Sequence, residues 1–192
     1  MAEVKLKNTE ILSDAHYLLK KVSFDLKKKD GTWETQEREV YDHGNAATAL
    51  LYNKAQRTII LTRQFRVPTY LNGNPTGMLL ETCAGLLEEG EDPDETIIRE
   101  IKEETGYAID AVQKIYEAYT SAGSLTELLY LYIAEYKKEQ KVSTGGGLPD
   151  EGEEIKIVEL DFDEALQLMD SGGIKDVKTI LLLQYARLKQ IL

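Results

Sequence analysis

Residues Gly85 to Gly106 read GLLEEGEDPDETIIREIKEETG, and this segment carries the strongest information about the fold. Asp92 has a side chain that caps helix N-termini well, and Pro93 suits the first helical position. Apolar residues then recur at helical spacing, at Ile97, Ile98 and Ile101. The stretch therefore predicts a loop followed by a helix, which buries one face and ends at the second glycine.

Three carboxylates share one face of this predicted helix. Glu100, Glu103 and Glu104 stand at positions i, i+3 and i+4, a spacing at which like charges destabilise a helix by a few tenths of a kcal/mol per pair. Mg²⁺ or Mn²⁺ would offset this repulsion, because hard divalent cations prefer oxygen ligands. Arg99 can also pair with Glu103, four residues later. Taken alone, so short a motif favours an ordinary solvated acidic helix face over a metal site.

The complete run matches the Nudix box position by position. That pattern is Gly, five residues, Glu, seven residues, Arg-Glu, an aliphatic residue, any residue, Glu-Glu, any residue and Gly. The residues in register are Gly85, Glu91, Arg99, Glu100, Ile101, Glu103, Glu104 and Gly106. The residue after the final glycine is usually aliphatic, and Tyr107 departs from the pattern at this position. We expect this position to pack in the core. The chain therefore resembles the Nudix hydrolases, and a plain acidic helix explains the match poorly.

The elements around the box agree with the fold that this resemblance implies. Asp30-Gly31 predicts a hairpin turn between strands at about 16–26 and 33–41. Further elements are predicted as strands at 46–52, 58–65 and 78–84 and as helices near 162–170 and 177–191. The resemblance implies an α+β fold class, a Nudix α/β/α sandwich with a mixed sheet, plus a small N-terminal antiparallel β piece. We expect residues 1–44 to form the β piece and residues 45–192 the hydrolase domain.

The resemblance also implies roles for the residues of the box. The catalytic residues carried over are Glu100, Glu103, Glu104, Glu151 and Arg99, and the metal ligands are Ala84 (through its backbone carbonyl), Glu100, Glu104 and Glu151. The carbonyl of Gly85 is an alternative to that of Ala84, because glycine lets the backbone approach an ion closely. Glu91 would brace the loop. Metals held there would lower the pKa of a coordinated water and neutralise the phosphates of a substrate.

The resemblance places the catalytic base on an acidic, glycine-rich loop. The loop reads GGGLPDEGEE over residues 145–154, and flexible glycines before carboxylates suit a segment that closes over a substrate. Glu151 is the base we select, and Glu153, Glu154 and Glu127 stay open as alternatives. By composition alone, an ordinary acidic loop fits equally well.

Beyond the box, the chain resembles the GDP-mannose pyrophosphatase branch, a close relative of the ADP-ribose pyrophosphatases. The likeness runs through residues 38–42, 63–66, 84–87, 121–123, 126–128 and 145–147. It implies substrate contacts at His16, Tyr17, Arg38, Glu39, Arg66, Gly85, Glu127, Asp150 and Lys178, with His16 and Tyr17 as alternatives for one aromatic contact. The planar donor fork of Arg66 suits phosphate.

These resemblances lead to three alternative functions. The first is hydrolysis of GDP-mannose to GMP and mannose 1-phosphate. The second is hydrolysis of ADP-ribose to AMP and ribose 5-phosphate. This alternative is weakened because members of both branches often carry, where this chain has Ala122, a proline that is associated with ADP-ribose specificity. The third is a catalytically silent domain that binds a nucleotide as a regulator, which would have no need to keep three glutamates together.

Composition limits the partners and the compartment. The 192 residues carry a net charge of -11, so we expect no nucleic-acid partner, because such binding depends on basic residues. A single cysteine, Cys83, allows no internal disulfide, and no stretch is long and apolar enough for a signal peptide or a membrane span. We therefore expect a cytoplasmic enzyme without a membrane partner. Because a few strands alone bury little apolar surface, we also expect a homodimer in which the β piece packs on its partner.

Overall fold

The computed structural model describes residues 3–148, 152 and 154–192, which fold into two compact units. Within the described part of the chain, the first unit combines the N-terminal residues up to Asn45 with residues 119–128. The second unit contains residues 46–118 and the described residues from Leu129 onwards. The sequence prediction of a β piece over residues 1–44 did not include the segment 119–128.

The first unit is an antiparallel sheet of three strands, β1 (Val4–Asp14), β2 (Leu18–Lys27) and β3 (Trp33–Asp42), in the order β1-β2-β3. The predicted hairpin turn lies between β2 and β3. Its Asp30 Oδ1 accepts a hydrogen bond of 2.9 Å from the backbone N–H of Thr32, and Gly31 has a φ of 86°, which glycine adopts without strain. The segment 119–128 attaches to β3, where the N–H of Tyr41 donates to the carbonyl of Ser124 at 2.8 Å.

Strand β1 is absent from the sequence prediction. Every residue of β1 is exposed, so no buried face imposes a regular apolar alternation on it. Its pairing with β2 is also interrupted by register shifts between Leu6 and Asn8 and between Ile11 and Ser13. Because each extra residue moves the following side chains to the other face, a period of two could not be recognised in this segment.

One face of the three-stranded sheet is apolar. Val4 pairs with Leu26 and Leu6 with Phe24, and residues two apart on a strand share a face. Leu6 is 75% exposed. A groove of about 310 Å³ lies on this face and is lined by Val4, Leu6, Val22, Phe24, Arg38, Val40 and residues 122–125.

The second unit contains the mixed sheet that the sequence predicts. Its strands are β4 (Ala46–Asn53), β5 (Thr58–Phe65), β6 (Met78–Glu81), β7 (Cys83–Leu86), β8 (Gln113–Tyr119), β9 (Leu128–Glu135) and β10 (Lys156–Asp161). Their order is β10-β5-β4-β9-β8, with β6 on β5 and β7 on β4. Strands β4 and β9 are parallel, while β4 is antiparallel to β5 and β7. All eight residues of β4 are buried, as expected for a strand covered on both faces.

Helices on both faces of this sheet complete an α/β/α sandwich, which confirms the predicted fold class. The helices are α1 (Val67–Leu71), α2 (Pro93–Glu100), α3 (Phe162–Asp170) and α4 (Val177–Leu188). Alternate residues of β4 contribute to two cores. Leu50 belongs to the core that contains Phe162 and Leu182 from α3 and α4, whereas Leu51 belongs to the core that contains Ile97 from α2. Within the described ranges, no helix is long and apolar enough to cross a membrane.

The strand predicted at 78–84 forms two strands, with a break at Thr82. β6 pairs with β5, and β7 pairs with β4. The N–H of Thr82 donates to Oγ1 of Thr179 on α4 at 2.8 Å, so this backbone N–H bonds to a helix rather than to a neighbouring strand. The break therefore depends on a partner 97 residues away in the sequence, which local patterns do not reveal.

Candidate active site

The box helix begins as predicted and ends differently. Oδ1 of Asp92 accepts a hydrogen bond of 2.8 Å from the N–H of Asp94, and Pro93 is the first residue of α2. The sequence predicts one α-helix up to Gly106, but α2 ends at Glu100 and a π-helical turn covers Ile101–Thr105. Gly106 then ends the turn with a φ of 78°. Single π turns of this kind occur frequently at functional sites, and here the turn carries two of the three glutamates.

Arg99 bonds to three carboxylates of the box. Its Nη1 lies 2.8 Å from Oε1 of Glu100 and 3.2 Å from Oε2 of Glu103. Its Nε and Nη2 each lie 3.3 Å from an oxygen of Glu91 on the preceding loop. The predicted pair between Arg99 and Glu103 is thus confirmed, and the same guanidinium joins the loop to the helix.

These contacts keep the groups ionised. Hydrogen bonds from Arg99 hold the pKa of Glu91 below its ordinary value, against a smaller opposing effect of desolvation. The bonds to Glu91 also raise the pKa of Arg99 above its ordinary value, and the charge of Glu100 adds to this effect. The carboxylates are therefore arranged around a permanent cation at neutral pH.

Gly85 provides the space in which the Glu100 side chain lies. A Cβ atom added to Gly85 would lie 2.1 Å from both Cδ and Oε1 of Glu100, far inside any real contact. The Glu100 carboxylate is therefore packed directly on the backbone of β7. This close approach explains why the box needs a residue without a side chain at this position.

The glycine-rich loop packs on the π turn. Glu104 is only 3% exposed, and its backbone carbonyl accepts a hydrogen bond of 2.9 Å from the N–H of Gly146. The N–H of Gly147 donates to the carbonyl of Glu103 at 3.3 Å. A Cβ on Gly145 would lie 2.6 Å from the carbonyl oxygen of Glu104, so glycine is required for this contact. A cleft of about 630 Å³ is lined by both elements, including Glu95, Ile98, Arg99, Lys102, Ser143 and Leu148.

The charge and the donor atoms of the turn fit a divalent cation. Nη1 of Arg99 is shared by Glu100 and Glu103, so these carboxylates already surround a positive group, and carboxylate oxygens are ligands that Mg²⁺ and Mn²⁺ prefer. In the described part of the chain, no three His, Cys, Asp or Glu side chains are grouped to hold an ion by themselves. A bound ion would therefore need a further ligand. This could be a backbone carbonyl, such as that of Ala84, or the side chain of Glu151, which lies outside the described residues.

Two of the predicted substrate contacts, Arg66 and Lys178, are brought together by a residue that sequence reasoning missed. Both bond to Glu81, with Arg66 Nε 2.7 Å from Oε2 and Lys178 Nζ 2.7 Å from Oε1. Glu81 belongs to no motif, and no local pattern distinguishes it from other acidic residues. The burial of an acidic residue at the end of a strand could be seen only in the structure.

The predicted aromatic contacts lie in the first unit. The rings of His16 and Tyr17 are 4.2 Å apart between centroids, and the ring of Tyr17 lies 5.8 Å from Tyr41 and 5.2 Å from His43. The sequence prediction did not include Tyr41 or His43. Four aromatic side chains therefore form one cluster, which lies where β2 begins and β3 ends.

The remaining predicted contacts have separate placements. On β3, Arg38 pairs with Val22 and Glu39 with Lys21, so these neighbouring side chains face opposite sides of the sheet. Glu127 accepts a short hydrogen bond from Oγ1 of Thr120 in the same unit. The predicted contact Asp150, the proposed base Glu151 and its alternative Glu153 lie outside the described residues.

Comparisons with known proteins identify relatives over nearly the whole chain. The sequence model described as the GDP-mannose pyrophosphatase NudK N-terminal domain matches residues 3–41, and that described as the NUDIX domain matches residues 42–179. A GDP-mannose pyrophosphatase of Yersinia enterocolitica is 52% identical over 98% of both chains. Those of Cronobacter sakazakii and Yersinia pestis are 48% and 53% identical, over 98% and 96% of this chain and 97% and 93% of their own. A crystal structure described as an ADP compounds hydrolase shares the fold, with a TM-score of 0.70, 19% identity, and coverage of 96% of this chain and 92% of that one.

The packing of Glu100 on Gly85 predicts the effect of adding one methyl group. We expect Gly85→Ala to displace the Glu100 carboxylate and to weaken Mn²⁺ binding by about tenfold or more, the range seen when groups that orient metal ligands are lost. Stability should change little, because the displaced atoms are the end of a flexible side chain. Calorimetric titration with Mn²⁺ and thermal unfolding measure the two effects.

Gly172→Ala is the matched control for this substitution. Gly172 has a φ of 77° and open space around its Cβ position, so alanine there costs about 1–2 kcal/mol of stability through backbone strain alone. We expect this variant to unfold more easily and to bind Mn²⁺ like the wild type. Wild-type Mn²⁺ affinity in Gly85→Ala would show that Glu100 is not a metal ligand.

Proposed function

This chain belongs to the Nudix family, and we propose that it is a pyrophosphatase that hydrolyses GDP-mannose to GMP and mannose 1-phosphate. The membership confirms the resemblance drawn from the box. The observation that carries the proposal is that GDP-mannose pyrophosphatases share about half of its residues over nearly the whole chain, while the box is complete. A silent regulatory domain would not need Glu100, Glu103 and Glu104 to be retained together.

The metal site follows from the geometry of the box. Nudix hydrolases generally use divalent metal ions, and we propose Mg²⁺ here, with Mn²⁺ as a substitute. Glu100, Glu104 and the carbonyl of Ala84 would hold the ion, together with Glu151. When bound, such an ion neutralises phosphate charge and lowers the pKa of a coordinated water.

The protein's own groups would prepare the attack of water on phosphorus. Arg99 fixes Glu100 and Glu103 through the hydrogen bonds described above, so neither carboxylate has to be reoriented during the reaction. Glu151 is the proposed base that takes the proton of the water, and Glu153, Glu154 and Glu127 are its alternatives. This arrangement would contribute to catalysis by positioning the reacting groups and by stabilising charge, which are the main requirements of phosphoryl transfer.

The proposed substrate contacts divide by chemistry. Arg66 and Lys178 would bind phosphate oxygens, which their donors suit, and the backbone of Gly85 is a further proposed contact. The aromatic residues His16 and Tyr17 offer a surface for a base or sugar. Polar contacts to the nucleoside or the sugar are proposed for Arg38, Glu39, Glu127 and Asp150.

The test is a phosphate-release assay with Mg²⁺, coupled to phosphatase, on GDP-mannose, ADP-ribose, ADP-glucose and NADH. We expect the highest kcat/KM for GDP-mannose, and a loss of at least about 100-fold in Glu104→Gln, because that substitution removes a negatively charged metal ligand. Glu159→Gln, an exposed residue bonded to Tyr136, is the matched control and should keep wild-type activity.

Other outcomes separate the alternatives. Preference for ADP-ribose would retain the chemistry and overturn the substrate assignment. Hydrolysis of none of the four compounds by a folded, Mg²⁺-loaded wild type would contradict the enzyme proposal and favour the regulatory domain.

We also propose that the protein is a homodimer whose interface includes the apolar face of β1 and β2. Val4, Leu6 and Phe24 form an apolar groove on this face, and Leu6 is largely exposed. Exposed apolar patches of this kind usually mark interaction sites. By the family likeness, Arg38, which lines the same groove, would reach the substrate of the partner.

Sedimentation at micromolar concentration tests the dimer. We expect the wild type to sediment as a dimer and Leu6→Asp to sediment as a monomer, because a charge in the apolar interface costs several kcal/mol. Asn8 pairs with Ser23, on the opposite face from Leu6 and Phe24, so Asn8→Asp adds the same charge and should remain dimeric. A monomeric wild type would contradict the proposal.

A further inference from the structure

Glu81 is a buried carboxylate whose two oxygens bind two different cations. It lies at the end of β6 and is only 4% exposed. Its Oε2 accepts from Nε of Arg66, and its Oε1 accepts from Nζ of Lys178, both at 2.7 Å. Because an unpaired buried carboxylate is very unfavourable, Glu81 and its two partners form one unit in which each position depends on the others.

The three charges are fixed by different elements of the second unit. Arg66 precedes α1, and Lys178 lies in the first turn of α4. Nζ of Lys178 also lies 3.0 Å from Oδ1 of Asp176. Thr82, which follows Glu81 in the sequence, donates its N–H to Oγ1 of Thr179. This hydroxyl in turn donates to Oδ2 of Asp176 at 2.6 Å. The start of α4 is therefore joined to the β6–β7 junction by a continuous set of hydrogen bonds.

Both cations keep donors that Glu81 does not use. Arg66 bonds to Glu81 through Nε alone, is 40% exposed, and has no other side-chain hydrogen bond to a described residue. Lys178 is 15% exposed and has three donors, of which Glu81 and Asp176 take two. Burial is the largest single effect and disfavours the charges of Glu81 and Lys178. The charges and hydrogen bonds of Lys178 and Arg66 together outweigh it and lower the pKa of Glu81, and those of Glu81 and Asp176 together raise the pKa of Lys178. The group therefore presents charged donors whose positions are set before any ligand arrives.

Stability alone does not explain this arrangement. Replacing a buried ion pair by apolar residues is often neutral or stabilising, so a fold has no general need for one. The half-exposed guanidinium of Arg66 is also unlike a purely structural ion pair, because its terminal nitrogens stay available to a ligand. Two cations on one buried carboxylate suit a ligand with several anionic oxygens, such as a diphosphate.

We propose that Glu81 is a positioning residue that holds Arg66 and Lys178 as a paired cationic site for the diphosphate of the substrate. This inference rests on the proposed function, which gives the two cations a phosphate to bind. In this proposal Glu81 sets the positions of the Arg66 guanidinium and the Lys178 ammonium group. Glu81 itself would touch neither the substrate nor the metal.

Glu81→Gln is the main test, since it keeps the size of the side chain and removes its charge. We expect the KM for GDP-mannose to rise by about tenfold, the usual consequence of losing a charged hydrogen bond, and kcat to change by less than about threefold. In the double variant Arg66→Met and Lys178→Met, adding Glu81→Gln should change kcat/KM by less than about twofold, because residues that act through one another are not additive. Glu159→Gln, the same substitution outside the group, should leave KM unchanged.

A readout without turnover separates this inference from the proposed function. We expect metal-free wild type to bind inorganic pyrophosphate in a calorimetric titration at low ionic strength, and Glu81→Gln to bind it at least about fivefold more weakly. This result would stand even if GDP-mannose proved not to be the substrate. Failure of metal-free wild type to bind pyrophosphate would overturn the inference.

A structural role for Glu81 would give a different result. In that case Glu81→Gln would lower the unfolding temperature and the fraction of active protein, while the KM and the pyrophosphate affinity of the folded fraction would equal those of the wild type. Arg66→Lys is a second variant that leaves the buried carboxylate with two cations but loses the Nε contact. An unchanged KM and an unchanged pyrophosphate affinity in Arg66→Lys would also contradict the inference.

Discussion

The hydrogen bonds from Arg99 to Glu91, Glu100 and Glu103 are the interaction on which the rest of the site depends. In a chain with a net charge of -11, carboxylates on adjacent turns would repel one another unless a cation lay among them. Arg99 supplies that cation permanently, and it also ties the loop before α2 to the helix. The carboxylates are thereby held in place before a metal ion binds.

The fold supports this arrangement through close backbone approaches and buried side chains. Ile97 and Ile101 are completely buried, which fixes the rotation of the helix relative to the sheet. Gly85 allows the Glu100 carboxylate to lie on β7, and Gly145 allows the glycine-rich loop to reach the carbonyl of Glu104. These contacts form when the protein folds. The charged groups are therefore already oriented, and orienting them does not add to the activation free energy of the reaction.

The box and the helix start at Pro93 could be predicted because each depends on local spacing, and the mixed sheet was implied by the resemblance of the box to that of the Nudix hydrolases. Other features depend on partners that are distant in the sequence. Glu81 is recognisable only through cations that lie 15 residues before it and 97 residues after it, and the break at Thr82 depends on α4. The exposed strand β1 lacks the alternation that a buried face imposes. The π turn changes the spacing of the glutamates around the helix axis. The sequence prediction assumed the α-helical period of 3.6 residues and therefore did not include this change.

We propose that Glu100, which Arg99 holds in place, and the neighbouring Glu104 are ligands of a divalent metal ion. Anomalous diffraction from crystals of the wild-type protein soaked in Mn²⁺ is the decisive measurement, because it locates the ion without reference to activity. We expect an anomalous peak beside the carboxylates of Glu100 and Glu104, with the bonds between Arg99 and Glu91 retained. A crystal saturated with Mn²⁺ that shows no peak there, or shows one only at another group of carboxylates, would contradict the account.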